Sequence, residues 1–146
     1  MSWGLDRGAG IRLSDVDSAA GKQAIIFCVL TLPVALYFAI LESGPRGATV
    51  GKRHLRLRVR SVSRSVGDDP VRLTQTLIRA AVKFAPWEVA HTAMWRMPSD
   101  PGDPAIWPWI TFSLVLVMCL VYVGGLVLGS GRTLYDLAAG TRVTSV

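Results

Sequence analysis

Three stretches of the chain have the apolar pattern of helices that lie in a membrane. Residues 24–41 contain no charged side chain and would form about 27 Å of helix, close to the thickness of a bilayer core. Residues 106–128 form a longer uncharged stretch, and residues 80–95 form a shorter one that includes Glu88 and His91. We therefore predict transmembrane spans at about 24–41, 80–95 and 106–128. A re-entrant or in-plane segment at 80–95 is the alternative.

The segments between these spans have other periodicities. Residues 54–62 alternate between apolar and basic side chains, which predicts a strand, and residues 141–146 have similar β-prone character. Residues 71–83 show the spacing of an amphipathic helix lying in the membrane interface. We expect a kink at Pro33 and a joint at Pro86 between the in-plane helix and the inserted one. Residues 1–23 are polar and mixed, and form a tail before the membrane domain at 24–146.

These patterns predict an all-α membrane protein with about three transmembrane helices, an interfacial amphipathic helix and a short cytoplasmic β-ribbon. Composition agrees, because 51% of the residues are hydrophobic and only 18% are charged, against roughly 25% charged in soluble domains. Residues 46–79 contain nine Lys or Arg, whereas the turn at 96–105 contains one Arg and two Asp. By the positive-inside rule, loop 46–79 and the C-terminus face the cytoplasm and the N-terminus faces outside.

The basic loop also indicates a partner. Arg56, Arg58 and Arg60 lie on one face of the predicted strand, and a basic segment beside apolar spans favours anionic lipid head groups. Nucleic acid is not expected, because no aromatic side chains are interleaved with these arginines.

Glu88 and His91 are candidates for chemistry within a span. Residues three apart lie on the same face of a helix, and ionisable groups at membrane depth are costly and often functional or paired. The pair could relay protons or coordinate an ion, or Glu88 could pair structurally with Lys83 or Arg79. A metal site would need further ligands, and we predict none.

Asp136 follows the last span and is a third candidate for an ion or proton relay. Its structural alternative is an ion pair with Arg132 at a helix end, or a contact to the basic loop through Lys52 or Arg53.

Several glycines have predicted structural roles. Gly51 and Gly140 are expected to adopt positive φ. Gly125 and Gly129 form a small-xxx-small pattern in the last span, which favours close packing within the chain or in a homo-oligomer.

Two passages resemble the RDD family of prokaryotic membrane proteins: ATVGKRHLRLRV at residues 48–59 and GRTLYDLAAGTRV at residues 131–143. The residues that carry the family pattern are Gly51, Lys52, Arg53, Arg132, Asp136, Gly140 and Thr141. The resemblance covers roughly residues 30–146. The family's first helix is expected to be missing, since Arg12 and Asp15 have no hydrophobic run around them. Either this protein has lost that helix or its start codon lies further upstream. The resemblance implies a multi-pass protein of the prokaryotic plasma membrane, and some members are proposed as ion/proton antiporters.

No nucleophile–base arrangement, phosphate-binding glycine loop or cysteine metal motif is recognised in the sequence. We therefore predict a protein that is not an enzyme and has no cofactor, namely a structural, interaction or lipid-contacting membrane module. The alternative is a small oligomeric ion or proton transporter that uses Glu88, His91 and Asp136.

Overall fold

A computed structural model of the chain describes residues 18–62, 71–98, 105–127 and 132–146. Within these ranges it is mostly helical and has a small two-stranded sheet. In chain order its elements are α1 (Ala19–Ser43), α2 (Val50–His54), β1 (Leu57–Ser61), α3 (Leu73–Trp95), α4 (Trp107–Val127), α5 (Leu134–Ala139) and β2 (Thr141–Ser145). Helices α1 and α4 are long and apolar enough to cross a membrane, as the sequence predicts for spans 24–41 and 106–128.

Helix α1 begins earlier than its apolar stretch. The hydroxyl oxygen of Ser18 accepts a hydrogen bond from the Gly21 backbone N–H at 2.9 Å and caps the helix there. Part of the predicted polar tail is therefore helical, and the rest of that tail, residues 1–17, lies outside the described residues.

Pro33 is accommodated by a change of helix type. Helix α1 is α-helical at Ala19–Ile26, π-helical at Phe27–Thr31 and α-helical again at Leu32–Ser43. Proline lacks the N–H that an α-helix needs and its ring clashes with the preceding turn. A π-turn widens the helix just before the proline, so the disturbance that we expect at Pro33 takes the form of this π-helical turn.

Helix α3 is continuous, and the predicted joint at Pro86 is wrong. The sequence predicts an in-plane helix followed by an inserted one, but Leu73–Trp95 forms a single helix with Pro86 inside it. Pro86 leaves the Val82 carbonyl, four residues earlier, without its helical donor. The Tyr122 hydroxyl of α4 donates to that carbonyl at 2.5 Å. A neighbouring helix thus supplies the missing hydrogen bond, as membrane helices require.

Helix α3 packs against both α1 and α4, and the positions of the contacting residues show that it runs antiparallel to each. Its first turn contacts the end of α1, where the Thr76 hydroxyl donates to the Ala39 carbonyl at 2.9 Å. Further along α3, Glu88 contacts Gln23 near the start of α1. The three helices therefore form a bundle with α3 at its centre.

The outer faces of the bundle are apolar. Leu73 and Leu77 of α3 are 49% and 41% exposed, while Thr76 and Arg79 of the same helix are buried. None of the most apolar part of α4 is buried. In the first half of α3 the leucines therefore face outward, while Thr76 and Arg79 face the rest of the protein.

Strands β1 and β2 form the predicted ribbon. They pair antiparallel, with Leu57 opposite Ser145 and Ser61 opposite Thr141. The strand starts later than residue 54 because the short helix α2 occupies Val50–His54, and Arg56 follows it with a φ of 53°.

Two of the glycine predictions have definite outcomes. Gly140 has a φ of 61° and ends α5, as expected. Gly51 lies inside α2 without a positive φ, so that prediction is wrong. A Cβ on Gly125 would lie 3.2 Å from the Arg132 carbonyl oxygen, so this glycine lets the chain before α5 approach α4 closely. Gly129 lies outside the described residues.

Alanine substitutions at Gly140 and Gly51 should have different effects on stability. Gly140→Ala should lower the free energy of unfolding by about 1–2 kcal/mol, because an L-residue is strained in the left-handed region. Gly51→Ala should leave it unchanged or raise it by up to about 1 kcal/mol, since its Cβ would enter open space within a helix. Denaturation of the detergent-solubilised chain measures both, and equal losses would contradict the assigned conformations.

Candidate functional site: a buried ionic cluster

Arg79 of α3 connects two carboxylates from different parts of the chain. Its Nε atom lies 3.1 Å from Oε2 of Glu42, at the end of α1. Its Nη1 atom donates to Oδ1 of Asp136 in α5 and to the Thr141 hydroxyl, the latter at 3.0 Å. Arg79, Glu42 and Asp136 are 4%, 2% and 1% exposed, so these charges lie in the protein interior.

Lys52 of α2 completes this group. Its Nζ atom lies 2.5 Å from Oε1 of Glu42. Burial lowers the pKa of Lys52, and the Glu42 carboxylate opposes that effect. We name Glu42, Lys52, Arg79 and Asp136 the ionic cluster, and its two formal positive charges balance its two negative ones.

The second oxygen of Asp136 is also satisfied. It accepts hydrogen bonds from the Thr133 backbone N–H at 3.2 Å and from the Thr133 hydroxyl at 2.7 Å, and it thereby caps the start of α5. The ring of Tyr135 lies 4.9 Å from the Arg79 guanidinium carbon, which places a cation–π contact beside the ion pair.

The ionic cluster joins four segments of the chain: the end of α1, the loop helix α2, the first half of α3, and the C-terminal segment formed by α5 and β2. A buried charge is tolerated only when it is paired and hydrogen-bonded, and removing one partner typically costs about 3–5 kcal/mol. Each segment is therefore held in place by a charge that cannot be left alone in the interior.

The residues of the family pattern meet at this place, with partners that differ from those predicted. Asp136 pairs with Arg79, and the predicted pairings with Arg132, Lys52 or Arg53 are wrong. Lys52 reaches Glu42 instead.

The side chains of Arg132 and Arg53 both donate hydrogen bonds to backbone carbonyls. Arg132 Nε donates to the Thr141 carbonyl at 3.2 Å, and Arg53 Nε donates to the Ala48 carbonyl at 3.1 Å. Both side chains therefore fix loops at the border of the ionic cluster.

Glu88 forms a second polar contact between helices. Its carboxylate accepts hydrogen bonds from Gln23 Nε2 at 2.7 Å and from the Thr31 hydroxyl at 2.5 Å, both on α1. Thr31 is the buried residue of the π-helical turn. Lys83, a predicted partner of Glu88, instead lies 3.4 Å from the centroid of the Phe38 ring, and Arg79 belongs to the ionic cluster.

His91 has different neighbours. Its Nδ1 lies 3.0 Å from the Trp87 carbonyl oxygen, and the His91 and Trp87 ring centroids are 4.4 Å apart. The contacts found in the described part of the chain bring no two of Glu88, His91 and Asp136 together. Across these same ranges, no group of three or more His, Cys, Asp or Glu is placed to hold a metal ion.

Sequence reasoning did not single out Glu42, and it named Arg79 only as a possible partner of Glu88. One signal was available for Glu42, because it is the acidic residue that directly ends a long apolar run. For Arg79, the signal is its place one turn after Thr76, on a side of α3 that contains no leucine.

A helical bundle with apolar outer faces and buried, neutralised charges defines a membrane-type domain. A family model described as the RDD family matches residues 5–140, so the chain belongs to the RDD family. The match begins well upstream of residue 30, where we expected the resemblance to start, and includes Arg12 and Asp15, which lie outside the described residues. No curated protein and no solved structure matches the chain significantly.

Arg79→Gln should lower the free energy of unfolding by about 3–5 kcal/mol, because Glu42 and Asp136 would be left with one cation between them. Arg72→Gln removes the same charge from an exposed position one residue before α3 and should change it by less than about 0.5 kcal/mol. Denaturation of both variants in detergent checks this. Similar losses in the two variants would rule out a structural role for the buried pairing.

Proposed function

We propose that this protein is a non-enzymatic membrane module in which three transmembrane helices hold a basic, cytoplasmic surface in a fixed position. Its role is then structural or interactive rather than chemical. The observation that carries this proposal is the ionic cluster, which connects the loop after α1 and the C-terminal α5–β2 segment to the helix bundle.

The pairing of the two strands supports three spans. Strand β1 precedes α3 and β2 follows α4, and strands that pair must lie on the same side of the membrane. The chain between them therefore crosses an even number of times. If α4 crosses, α3 crosses as well, and its 23 residues give roughly 34 Å of helix. An in-plane α3 would place the two strands on opposite sides.

Charge supports the orientation. Residues 46–79, which include α2 and β1, contain nine of the 16 Lys and Arg, so the positive-inside rule favours a cytoplasmic position for this end of the bundle. Residues 96–105 and the N-terminus then face outside, in a prokaryotic plasma membrane.

Cysteine labelling tests this topology. In a chain whose two exposed native cysteines are replaced by serine, Met97→Cys should react with a membrane-impermeant maleimide added outside intact cells. Val62→Cys should react only after the cells are opened. Both side chains are about half exposed, at 49% and 45%, so access to each is comparable. Labelling of both sites from the same side would contradict the three-span arrangement.

A second candidate function, an ion or proton transporter, is favoured by one observation. Glu88 lies at membrane depth in the proposed arrangement, where it contacts Thr31 in a π-helical turn. Ionisable groups at such depth, and π-turns, are both frequent at functional sites. The separate positions of His91 and Asp136 count against a relay through all three residues.

Flux measurements separate the two functions. The full chain is reconstituted in proteoliposomes with a pH-sensitive dye inside, and cations are added outside. A structural module should give the same signal as protein-free liposomes. A transporter should give cation-dependent proton flux that Glu88→Gln abolishes, and that result would overturn the structural proposal.

A further inference from the structure

An arginine-lined cleft opens at the end of the bundle that carries the ribbon. Its volume is about 460 Å³, and the charged side chains that line it are those of Arg46, Arg53, Arg56 and Arg58. We propose that this cleft binds the phosphate of an anionic lipid head group. The proposal deepens the proposed function and depends on it only for the position of the ribbon at the membrane surface.

The backbone around the cleft is fixed by short hydrogen bonds. Gly47, with a φ of 57°, accepts from the Val59 N–H at 2.7 Å, and a Cβ at Gly47 would meet the Val59 carbonyl oxygen at 3.0 Å. The Arg53 side chain donates to the Ala48 carbonyl. Ala48 and Val59 are buried, at 2% and 3% exposed. The arginines thus project from a constrained loop and strand, which reduces the entropy lost when a ligand is bound.

Arg56 shows local strain at the edge of the cleft. Its φ of 53° is unusual for a residue other than glycine, and such conformations persist where the surroundings impose them. Here its carbonyl accepts from the Val146 N–H at 2.8 Å and its N–H donates to the Arg53 carbonyl at 3.0 Å. The chain on both sides of Arg56 is therefore held in place.

The charge of the cleft suits a phosphate. Guanidinium groups bind phosphate oxygens through two parallel hydrogen bonds, and none of the residues that line the cleft has a carboxylate side chain. The side-chain carboxylates that the described ranges contain belong to Glu42, Glu88 and Asp136, and all three accept hydrogen bonds elsewhere. None of these three side chains lines the cleft. Val146, the last residue of the sequence, also lines the cleft, so its main-chain carboxylate offsets at most one of the four arginine charges.

The position of the cleft indicates a lipid rather than free phosphate. Arg46 follows the last residue of the apolar helix α1, Ser43, by three positions, so the cleft lies where a bilayer has its head groups. Val50 and Leu55, next to the cleft in sequence, are 50% and 71% exposed. Exposed apolar side chains beside arginines are typical of a surface that enters the membrane interface.

The structure changes the set of lipid-contacting residues that the sequence predicts. Arg56 and Arg58 line the cleft, whereas Arg60 does not. Arg60 lies opposite Arg142 in the ribbon, and both are exposed. This pair offers a matched control, because it has the same charge and lies in the same ribbon but outside the cleft.

The test measures binding of short-chain phosphatidylglycerol to the detergent-solubilised full chain by titration calorimetry. Short-chain phosphatidylcholine and inorganic phosphate serve as comparison ligands. We expect saturable binding of phosphatidylglycerol at one site. Arg46→Gln combined with Arg56→Gln should raise its dissociation constant at least about tenfold, since each basic residue near a head group contributes on the order of one kcal/mol. The control double variant, Arg60→Gln with Arg142→Gln, should raise it less than about threefold.

Three outcomes would overturn the proposal. Equal losses in the two double variants would show diffuse attraction to basic charge. Inorganic phosphate that binds as tightly as phosphatidylglycerol would assign the cleft to a soluble anion. Absence of saturable binding by the unaltered chain would leave the cleft without a lipid. Thermal unfolding of both variants verifies the fold, and the cysteine labelling of the proposed topology does not depend on any of these results.

Discussion

The structure depends on the burial of Arg79 between two carboxylates. A guanidinium group stays charged under all conditions relevant to proteins, and it cannot be buried without partners. Glu42 and Asp136 provide them from segments that are far apart in sequence, and Lys52 then neutralises the remaining negative charge. Since these residues come from α1, α2, α3 and α5, the requirement for charge balance determines how the ends of the helices and the ribbon meet.

A membrane-type environment explains why the rest of the bundle is arranged with polar groups inside. Leucines of α1, α3 and α4 face outward, while threonine, glutamate and arginine side chains make the contacts between helices. Both prolines follow the same rule that backbone groups must be satisfied without water. A π-helical turn precedes Pro33, and the Tyr122 hydroxyl replaces the hydrogen bond that Pro86 removes.

The sequence was sufficient for the long apolar helices and for the ribbon, because uncharged length and two-residue alternation are local properties. The pairing of charges was not predictable, since Arg79 and Asp136 are 57 positions apart and only the packing of α3 against α5 brings them together. The interpretation of residues 71–83 failed in a related way. The amphipathic pattern was recognised, but periodicity alone cannot say which face meets protein, and it did not predict that Arg79 is buried. Glu88 and His91 share a helix face by spacing, yet Glu88 bonds to α1 while the His91 ring contacts the Trp87 ring at a tilt of 54°.

The central claim is that the ionic cluster holds the ribbon to the bundle, and amide hydrogen exchange of the full chain with Asp136→Asn tests it most directly. Loss of the Asp136 charge should weaken its ion pair with Arg79 and release the C-terminal α5–β2 segment from the bundle. The account predicts faster exchange in β1 and β2 and unchanged exchange in the middle of α4. Unchanged exchange in both strands, or an equal increase throughout the chain, would contradict it.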